Sequence, residues 1–515
     1  MAPPRFMGLT GRPLSLAVST VATTGFVLFG YDQGVMSGII TAPAFNDLFT
    51  ATKDNSTMQG FVTAIYEIGC LFGAIFILAF GDFLGRRRAM MMGGSIMILG
   101  VIIQVTSERG ATPLAQFIIG RTITGVGNGL LICIEGGVIA FGTLVAYWID
   151  YGASYGSPDL VWRFPISFQI IFALVLAIGP IWLPESPRWL LTRERWEEGE
   201  TVIAALRGLE VDAKETQLQK QIILDSIKAS GYAGRKGTPL KAVFTGGKTQ
   251  HFRRMMLGVS SQFMQQVGGC NAVIYYFPIL FETSINQTHN MSLLLGGVNM
   301  IVYAIFATVS WFIIERVGRR KLFLWGTVGQ CLSMVLVFAC LIPGTPGPAK
   351  GAAVGLFTYI ASFGASWLPL PWLYPAEVNP IKTRQKANAL STCSNWLFNF
   401  LIVMITPVMI TNIGWGTYLF FAIVNACFLP VIYFTYPETA RRSLEEIDII
   451  FAKGYCEKIG YVRAARELPF LSDEEIDRKA GEYGLVDEVV GVGERAMEEK
   501  GEEVFGEKGR SDMSL

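Results

Sequence analysis

Two short charged stretches, GDFLGRRR at 81–88 and ERVGRRK at 315–321, interrupt long apolar runs at equivalent places in the two halves of the chain. Each stretch puts an acidic residue, a glycine and a cluster of arginines between two hydrophobic segments. This predicts a tight charged turn between two membrane-spanning helices, which we call an elbow. PESPR at 184–188 and PETAR at 437–441 follow the two elbows in the same order. The repetition predicts a membrane unit that is duplicated along the chain.

The composition also indicates a membrane protein. Of the 515 residues, 51% are hydrophobic and only 16% are charged, and long apolar runs recur along most of the chain. A net charge of +1 gives no reason to expect a nucleic-acid partner. Seven of the eight cysteines lie in or beside apolar runs, which favours buried free thiols over disulfides. The only histidines, His251 and His289, lie in polar connections, so neither histidine-based catalysis nor a metal site is expected in the spans.

The predicted fold class is all-α: a polytopic membrane protein with two pseudo-symmetric six-helix bundles. Lys and Arg concentrate at the elbows and are scarce in the alternate breaks, which places the elbows and both termini in the cytoplasm. Three N-x-S/T sequons, which begin at Asn55, Asn286 and Asn290, fall in the outer breaks and are candidate glycosylation sites. The predicted domains are an N-terminal transmembrane bundle at 1–188, a cytoplasmic helical connector at 189–255, a C-terminal transmembrane bundle at 256–440 and a cytoplasmic tail at 441–515 that is disordered beyond about residue 470.

The first bundle is shorter than the second between equivalent landmarks. Gly85 and Pro184 are 99 positions apart, whereas Gly318 and Pro437 are 119 positions apart. The deficit falls at 113–149, where two spans follow each other with no room for a turn. We therefore expect that part of spans four and five has been lost, through a splicing error or a wrong exon assignment. A genuinely compact variant is the alternative.

Nine motifs occur in order: FGYDQGVMSG at 29–38, GDFLGRRR at 81–88, GRTITGVGNG at 120–129, PESPRWL at 184–190, QQVGGCNAVIYY at 265–276, ERVGRRK at 315–321, PLPWLYPAEV at 369–378, SNWLFNF at 394–400 and PETARRSLEEID at 437–448. On these motifs the chain resembles the sugar porters of the major facilitator superfamily, in their fungal branch, over roughly residues 12–455. The resemblance implies a carrier with neither enzymatic activity nor a cofactor. The missing piece corresponds to the family's Pro- and Glu-containing end of span four and its Arg-Gly entrance to span five.

Asp32 is the acidic residue that the sequence singles out. A carboxylate inside a membrane span is costly and usually functional, and Arg121, at the start of the fourth span, is its natural partner. Alternating exposure would let Asp32 load and release a proton. In proton-coupled sugar porters, which the chain resembles, an aspartate and an arginine at these motif positions form such a pair. A purely structural buried ion pair is the alternative.

The binding site is expected near the midplane, between the halves. A sugar needs amides that both donate and accept hydrogen bonds, and an aromatic face on which its ring can stack. On a helix broken near Gly268 and Gly269 the amides of the seventh span can converge on one cavity. The candidate substrate-binding residues, most of which match sugar-contacting positions of the family, are Gln262, Gln265, Gln266, Asn271, Asn299, Trp372 and Asn395. Amides that only join helices are the alternative.

Two further groups are expected to control access to that site. Tyr275 and Tyr276 resemble the family's outer gate, although aromatic residues near an interface can also be belt residues. A cytoplasmic ion-pair network would hold the halves together when the site faces outward; its candidate members are Asp82, Arg86, Arg87, Glu185, Glu315, Arg319, Arg320, Glu377, Arg384 and Glu438. Charges that only enforce topology are the alternative. GVGNG at 125–129 is expected to serve close helix packing rather than nucleotide binding.

The expected function is proton-coupled transport of a sugar or polyol across the membrane by alternating access, by a monomer, with the plasma membrane as the expected location. Glycerol, hexoses, pentoses and disaccharides stay open as substrates, because a few pocket contacts decide among them. A facilitative uniporter and a non-transporting nutrient sensor are the alternatives. A membrane enzyme is not expected, because no nucleophile–base pair or metal cluster is evident in the spans.

Overall fold

The computed structural model describes residues 3–109, 112–131, 138–229, 239–284 and 287–485, and most of these residues are helical. Nine helical segments among them are long and apolar enough to cross a membrane. The predicted all-α class is thus confirmed. The helices of the first half are α1 (Arg12–Ile39), α2 (Pro43–Leu48), α3 (Ser56–Leu84), α4 (Arg86–Val105), α5 (Pro113–Leu131), α6 (Ile139–Ala153) and α7 (Pro158–Ile178).

Three short helices follow in the polar connection: α8 (Pro187–Thr192), α9 (Trp196–Arg207) and α10 (Lys214–Ala229). The helices of the second half are α11 (His251–Val267), α12 (Cys270–Ile279), α13 (His289–Val317), α14 (Arg319–Leu341), α15 (Pro346–Ser362), α16 (Leu370–Val378), α17 (Arg384–Ile413) and α18 (Gly416–Thr435). Between the halves, α3 lies along α17 and α6 lies along α13.

The tail is helical for longer than the sequence analysis expected. It contains α19 (Leu444–Cys456), α20 (Tyr461–Glu467) and α21 (Asp473–Glu482). The expectation of disorder from about residue 470 is therefore wrong up to residue 485. Ser472 and Glu475 form a reciprocal capping box at the start of α21, and the Tyr483 hydroxyl donates to Glu457 at 2.8 Å. Residues 486–515 lie outside the described part of the chain.

Both elbows have the same backbone geometry. Gly85 ends α3 and precedes α4 with φ 79° and ψ 166°, and Gly318 ends α13 and precedes α14 with φ 93° and ψ 156°. A positive φ is strained for residues with a Cβ, so each elbow requires glycine. The duplication read from the sequence thus extends to individual dihedral angles.

A glutamate from the second repeated motif caps the helix that leaves each elbow. Glu185 accepts hydrogen bonds from the two backbone N–H groups after Gly85, at 3.1 and 3.2 Å. Glu438 accepts from the two N–H groups after Gly318, at 2.8 and 3.1 Å. A carboxylate at a helix N-terminus satisfies unpaired donors and interacts favourably with the helix dipole. This contact explains why the two motifs occur together in each half.

Close packing of α3 against α5 depends on glycine. A Cβ on Gly125 would lie 2.1 Å from the carbonyl oxygen of Tyr66, and a Cβ on Gly129 would lie 2.2 Å from that of Cys70. Gly69 and Gly73 of α3 face them with similarly short approaches. The prediction that GVGNG serves helix packing is confirmed.

The described parts of α5 and α6 do not reach the elbow end of the first bundle. Gly129, near the end of α5, contacts Gly73, and α3 continues for eleven residues, about 16 Å, beyond that glycine. With 15 residues α6 is about 22 Å long, against about 30 Å for a bilayer core. Residues 132–137, where the two spans should join, lie outside the described part of the chain. The loss of a segment stays a prediction.

Candidate transport site

The seventh span is broken where the sequence analysis expected. Gly269 separates α11 from α12 with φ 100°, and the carbonyl of Gly268 accepts from the Tyr359 hydroxyl and from the Asn425 amide, each at 2.9 Å. These donors satisfy a carbonyl that the helix break leaves free. The break brings amide side chains from both sides of it to one place in the middle of the second bundle.

Two prolines in α16 leave backbone carbonyl oxygens free to accept hydrogen bonds from two of these amides. Pro371 and Pro375 lack the N–H groups that would bond to the carbonyls of Trp367 and Pro371, four residues earlier. Gln265 donates to the Trp367 carbonyl at 2.7 Å, and Gln262 donates to the Pro371 carbonyl at 2.6 Å. Both glutamines therefore join helices in this conformation, as the structural alternative expected of such amides.

The other amides extend the network across α17. Asn395 donates to the side-chain oxygens of both Gln262 and Gln265. Asn271 donates to Gln266 at 2.6 Å and to Asn399 at 2.5 Å. Among the described residues, the side-chain oxygen of Asn395 and the side-chain nitrogen of Asn399 have no hydrogen-bond partner although they are buried. These are open positions for hydroxyl groups of a ligand.

Two cavities meet at Trp372. A small cavity of about 20 Å³, room for about one water, is lined by Gln265, Gln266 and Asn271 on one side and by Phe29 and Gln33 of α1 on the other. A larger cavity of about 620 Å³ is lined by Gln262 at its inner end and by exposed Arg86, Arg188 and Lys382 at the elbow end. Trp372 lines both cavities. The amide cluster thus lies at the inner end of a passage that opens toward the elbows.

Asn299 is buried in α13, one turn before Tyr303, which lines the small cavity. Neither of its amide atoms has a hydrogen-bond partner among the described residues. It therefore lies near the cluster without joining the hydrogen-bond network.

Asp32 and Arg121 are both fully buried, and their nearest charged atoms are 4.0 Å apart. The Tyr66 hydroxyl donates to Asp32 at 3.1 Å, and the guanidinium of Arg121 lies over the Tyr66 ring at 4.7 Å. Arg121 donates to the Thr63 carbonyl at 3.4 Å. One oxygen of Asp32 and two nitrogens of Arg121 have no hydrogen-bond partner among the described residues. Such a poorly satisfied buried pair is costly as a purely structural element.

The end of the bundle opposite the elbows is closed. Tyr275 donates to Glu67 at 2.6 Å, and Tyr276 donates to the Val403 carbonyl at 2.8 Å. Tyr147 of α6 donates to the Ile274 carbonyl. Tyr275 and Tyr276 are fully buried, which is not the placement of an interfacial belt residue.

The elbow charges interact within each half. Arg319 pairs with Glu315 and Glu377, each at 2.6 Å. Arg320 donates to the Tyr433 carbonyl, Arg87 to that of Ile181 and Arg384 to that of Asn379. The side chain of Asp82 lies outside what the structure describes. That these charges hold the halves together in another conformation stays a prediction.

The sequence analysis missed four buried polar residues, of which Asp150 lies outside the site. Glu67 and Asp150 are buried carboxylates inside the first bundle, and Gln33 and Asn399 line or extend the amide cluster. An ionisable residue inside an apolar run is itself a signal, so Glu67 and Asp150 could have been found. Gln33 and Asn399 lie inside two of the nine motifs, FGYDQGVMSG and SNWLFNF, which were quoted for other residues.

A family model described as "Sugar (and other) transporter" matches residues 18–135 and 128–451. The chain belongs to this family. It is thereby a sugar porter of the major facilitator superfamily, a multi-pass membrane transporter and not an enzyme. The match is in two pieces that meet at 128–135, where the first bundle is short.

Known proteins align with this sugar porter over nearly its whole length. The "Sugar transporter STL1" of Saccharomyces cerevisiae is 42% identical and aligns with 99% of this chain and 94% of its own. The "Major facilitator superfamily transporter mfsA" of Aspergillus fumigatus is 43% identical over 93% of each chain. Among solved structures, the xylose transporter XylE from E. coli in an inward open conformation has a TM-score of 0.68 at 23% identity, over 84% of this chain and 99% of XylE. That likeness concerns the fold.

Proposed function

We propose that this sugar porter moves a sugar or polyol across the plasma membrane by alternating access, as a monomer, with protons entering alongside the substrate. The observation that carries the proposal is the fully buried Asp32–Arg121 pair beside the amide cluster. A membrane carboxylate with one counter-ion at 4.0 Å and an unsatisfied oxygen is a natural place for a transported proton. A relative that is 42% identical and is named a sugar transporter supports the substrate class.

The substrate would be held by amides and by Trp372. A neutral polyol offers hydroxyl groups that both donate and accept, which suits the open side-chain oxygen of Asn395. The small cavity is too small for a sugar, whereas the larger one has the volume of a typical ligand site. Binding would exchange hydrogen bonds within the amide cluster for bonds to the substrate.

The elbow end would face the cytoplasm, with both termini there, because Lys and Arg concentrate at the elbows. The passage from Trp372 would then open inward and the Tyr275 side would be the outer gate. Asn55 and Asn290 are exposed at the opposite end and would be glycosylated there. Asn286, the third sequon, lies outside the described residues and is proposed on the same grounds.

Uptake into a host that lacks its own sugar carriers tests the proposal. Labelled glycerol, D-xylose, D-glucose and maltose are offered singly, with and without a protonophore. We expect at least one of them to accumulate above its external concentration, and the protonophore to abolish that accumulation. Asp32→Asn should lose accumulation, whereas Asp47→Asn, which breaks an exposed pair with Lys53, should not. Uptake that only equilibrates in the wild type would indicate a uniporter, and uptake of no panel member would favour a sensor.

A further inference from the structure

Glu67 is a second buried carboxylate in the first bundle, and it touches the second bundle. It lies in α3, directly after Tyr66, and is fully buried. One of its oxygens accepts from the Tyr275 hydroxyl at 2.6 Å, and the other has no hydrogen-bond partner in the described chain. No described Lys, Arg or His lies within ion-pair distance of it. Tyr275 is thus a donor to this carboxylate, and that donor belongs to the proposed outer gate.

The same carboxylate adjoins the Asp32–Arg121 pair. The charged and titratable groups that face Glu67 are Asp32 of α1, Arg121 of α5, Tyr66 and Cys70 of its own helix, and Cys270, Tyr275 and Tyr276 of α12. Asp32 and Glu67 are therefore two buried carboxylates near a single cation, the guanidinium of Arg121. Two ionised carboxylates with one cation leave a net buried negative charge, which favours a proton on one of them.

Glu67 also adjoins the amide cluster. Asn399 of α17 faces its carboxylate, and the oxygen of Asn399 accepts from Asn271 at 2.5 Å. Asn271 in turn donates to Gln266, which lines the small cavity. A chain of side chains thus joins the carboxylate to the proposed sugar site.

We infer that Glu67 carries a proton in step with the outer gate and so couples sugar binding to proton movement. The inference rests on the proposed function. The Tyr275 hydroxyl at 2.6 Å favours the ionised carboxylate, whereas full burial away from water favours the protonated one, and burial is the larger effect. When α12 moves away, outside water reaches Glu67 and exchanges protons with it. Closure excludes this water again and buries Glu67 with a proton.

The large cavity lies toward the elbow end of α3 from Glu67. Ala74 is seven residues after Glu67, hence on the same face of the helix and about 10 Å further along it. Ala74, Gly129 and Leu130 line the large cavity. Release toward the elbow side would cross this distance to the large cavity, so each cycle transfers one proton from the outer to the inner side without a covalent step.

The first test needs no substrate. Infrared spectra of the purified full-length protein are recorded at acidic and alkaline pH, and the carboxylic C=O band that disappears with rising pH is compared among variants. We expect Glu67→Gln to lose one such band and Tyr275→Phe to shift it, because the phenol donor is gone. Asp150→Asn should keep it, because Asp150 accepts from the Gly38 N–H at 3.2 Å and lies apart from the gate. A Glu67→Gln spectrum identical to that of the wild type would overturn the inference, and so would an unchanged band in Tyr275→Phe.

The second test separates this inference from the proposed function. Vesicles loaded with unlabelled glycerol or D-glucose exchange it for labelled compound outside, which requires gate movement but no net proton transfer. We expect Glu67→Gln to retain exchange while its accumulation ratio under an imposed proton gradient falls to one. Equal accumulation in Glu67→Gln and wild type would refute the role of Glu67. A wild type that never couples sugar to protons would refute the proposed function instead, and the infrared test would still decide whether Glu67 titrates with the gate.

Discussion

Replacing Gly125 by alanine tests whether helix packing positions Arg121 and Tyr66 around Asp32. Gly125 of α5 lies against the backbone of α3, and an added Cβ would be 2.1 Å from the carbonyl oxygen of Tyr66. Tyr66 donates to Asp32, and Arg121 lies one turn before Gly125 on the same helix. A methyl group at this point would therefore separate the two helices that hold Asp32's partners.

The cost follows from the geometry. An ordinary contact requires more than 3 Å, so α3 and α5 must move apart by about 1 Å, and overpacking of this kind costs about 1–3 kcal/mol. The gain in helix propensity from Gly to Ala offsets about 0.5–1 kcal/mol. We expect Gly125→Ala to be destabilised by a net ~1–2 kcal/mol. Gly152→Ala, exposed near the end of α6 with no atom within 4 Å of its added Cβ, should instead be neutral or stabilised.

The assay is the fraction of monodisperse protein that remains after heating in detergent, measured for both variants and the wild type. The midpoint temperature should fall for Gly125→Ala and should stay or rise for Gly152→Ala. Proton-driven accumulation should fall for Gly125→Ala at a temperature where the protein is still folded, because Arg121 on α5 and Tyr66 on α3 move apart and cannot both keep their contacts with Asp32. Equal midpoints for the two variants would refute the close packing of α3 and α5.

Three further outcomes are expected. Gly318→Ala should lower the midpoint temperature more than Gly247→Ala does. Both glycines have a positive φ, but only at Gly318 would the new Cβ meet a carboxylate oxygen, at 2.6 Å. Equal decreases in the two variants would mean that backbone strain accounts for the whole effect. Trp372→Ala should raise the KM for the transported sugar by about 5- to 30-fold, a loss of about 1–2 kcal/mol, whereas half-exposed Trp415→Ala should leave it unchanged. Transcript sequencing across the codons for 125–147 should reveal an additional segment of about 20 codons, and an uninterrupted junction would contradict a lost segment.

The fold could be predicted from the sequence because its determinants are local. Each elbow is a run of eight residues or fewer with one obligatory glycine, and both elbows have the predicted form. The break at Gly269 was likewise predicted from two adjacent glycines within an apolar span. The capping roles of Glu185 and Glu438 were not predicted, because they depend on which helix ends meet in space.

The site could be predicted only by residue type. The sequence indicated Gln262 and Gln265. It did not indicate that both would donate hydrogen bonds to the backbone carbonyls that Pro371 and Pro375 leave free. These hydrogen bonds depend on how far α11 and α16 are shifted along each other, which no local sequence pattern specifies. Glu67 was not predicted for a different reason: unlike Asp32, it lies outside the motifs that carry the family resemblance, although any carboxylate inside a span is informative.

The most direct measurement is the external pH of an unbuffered suspension of cells that express this chain while a transported sugar is added. Proton-coupled transport predicts alkalinisation that begins with sugar uptake, scales with its rate and disappears in Asp32→Asn. Sugar uptake without any alkalinisation would contradict proton coupling and would make the chain a uniporter.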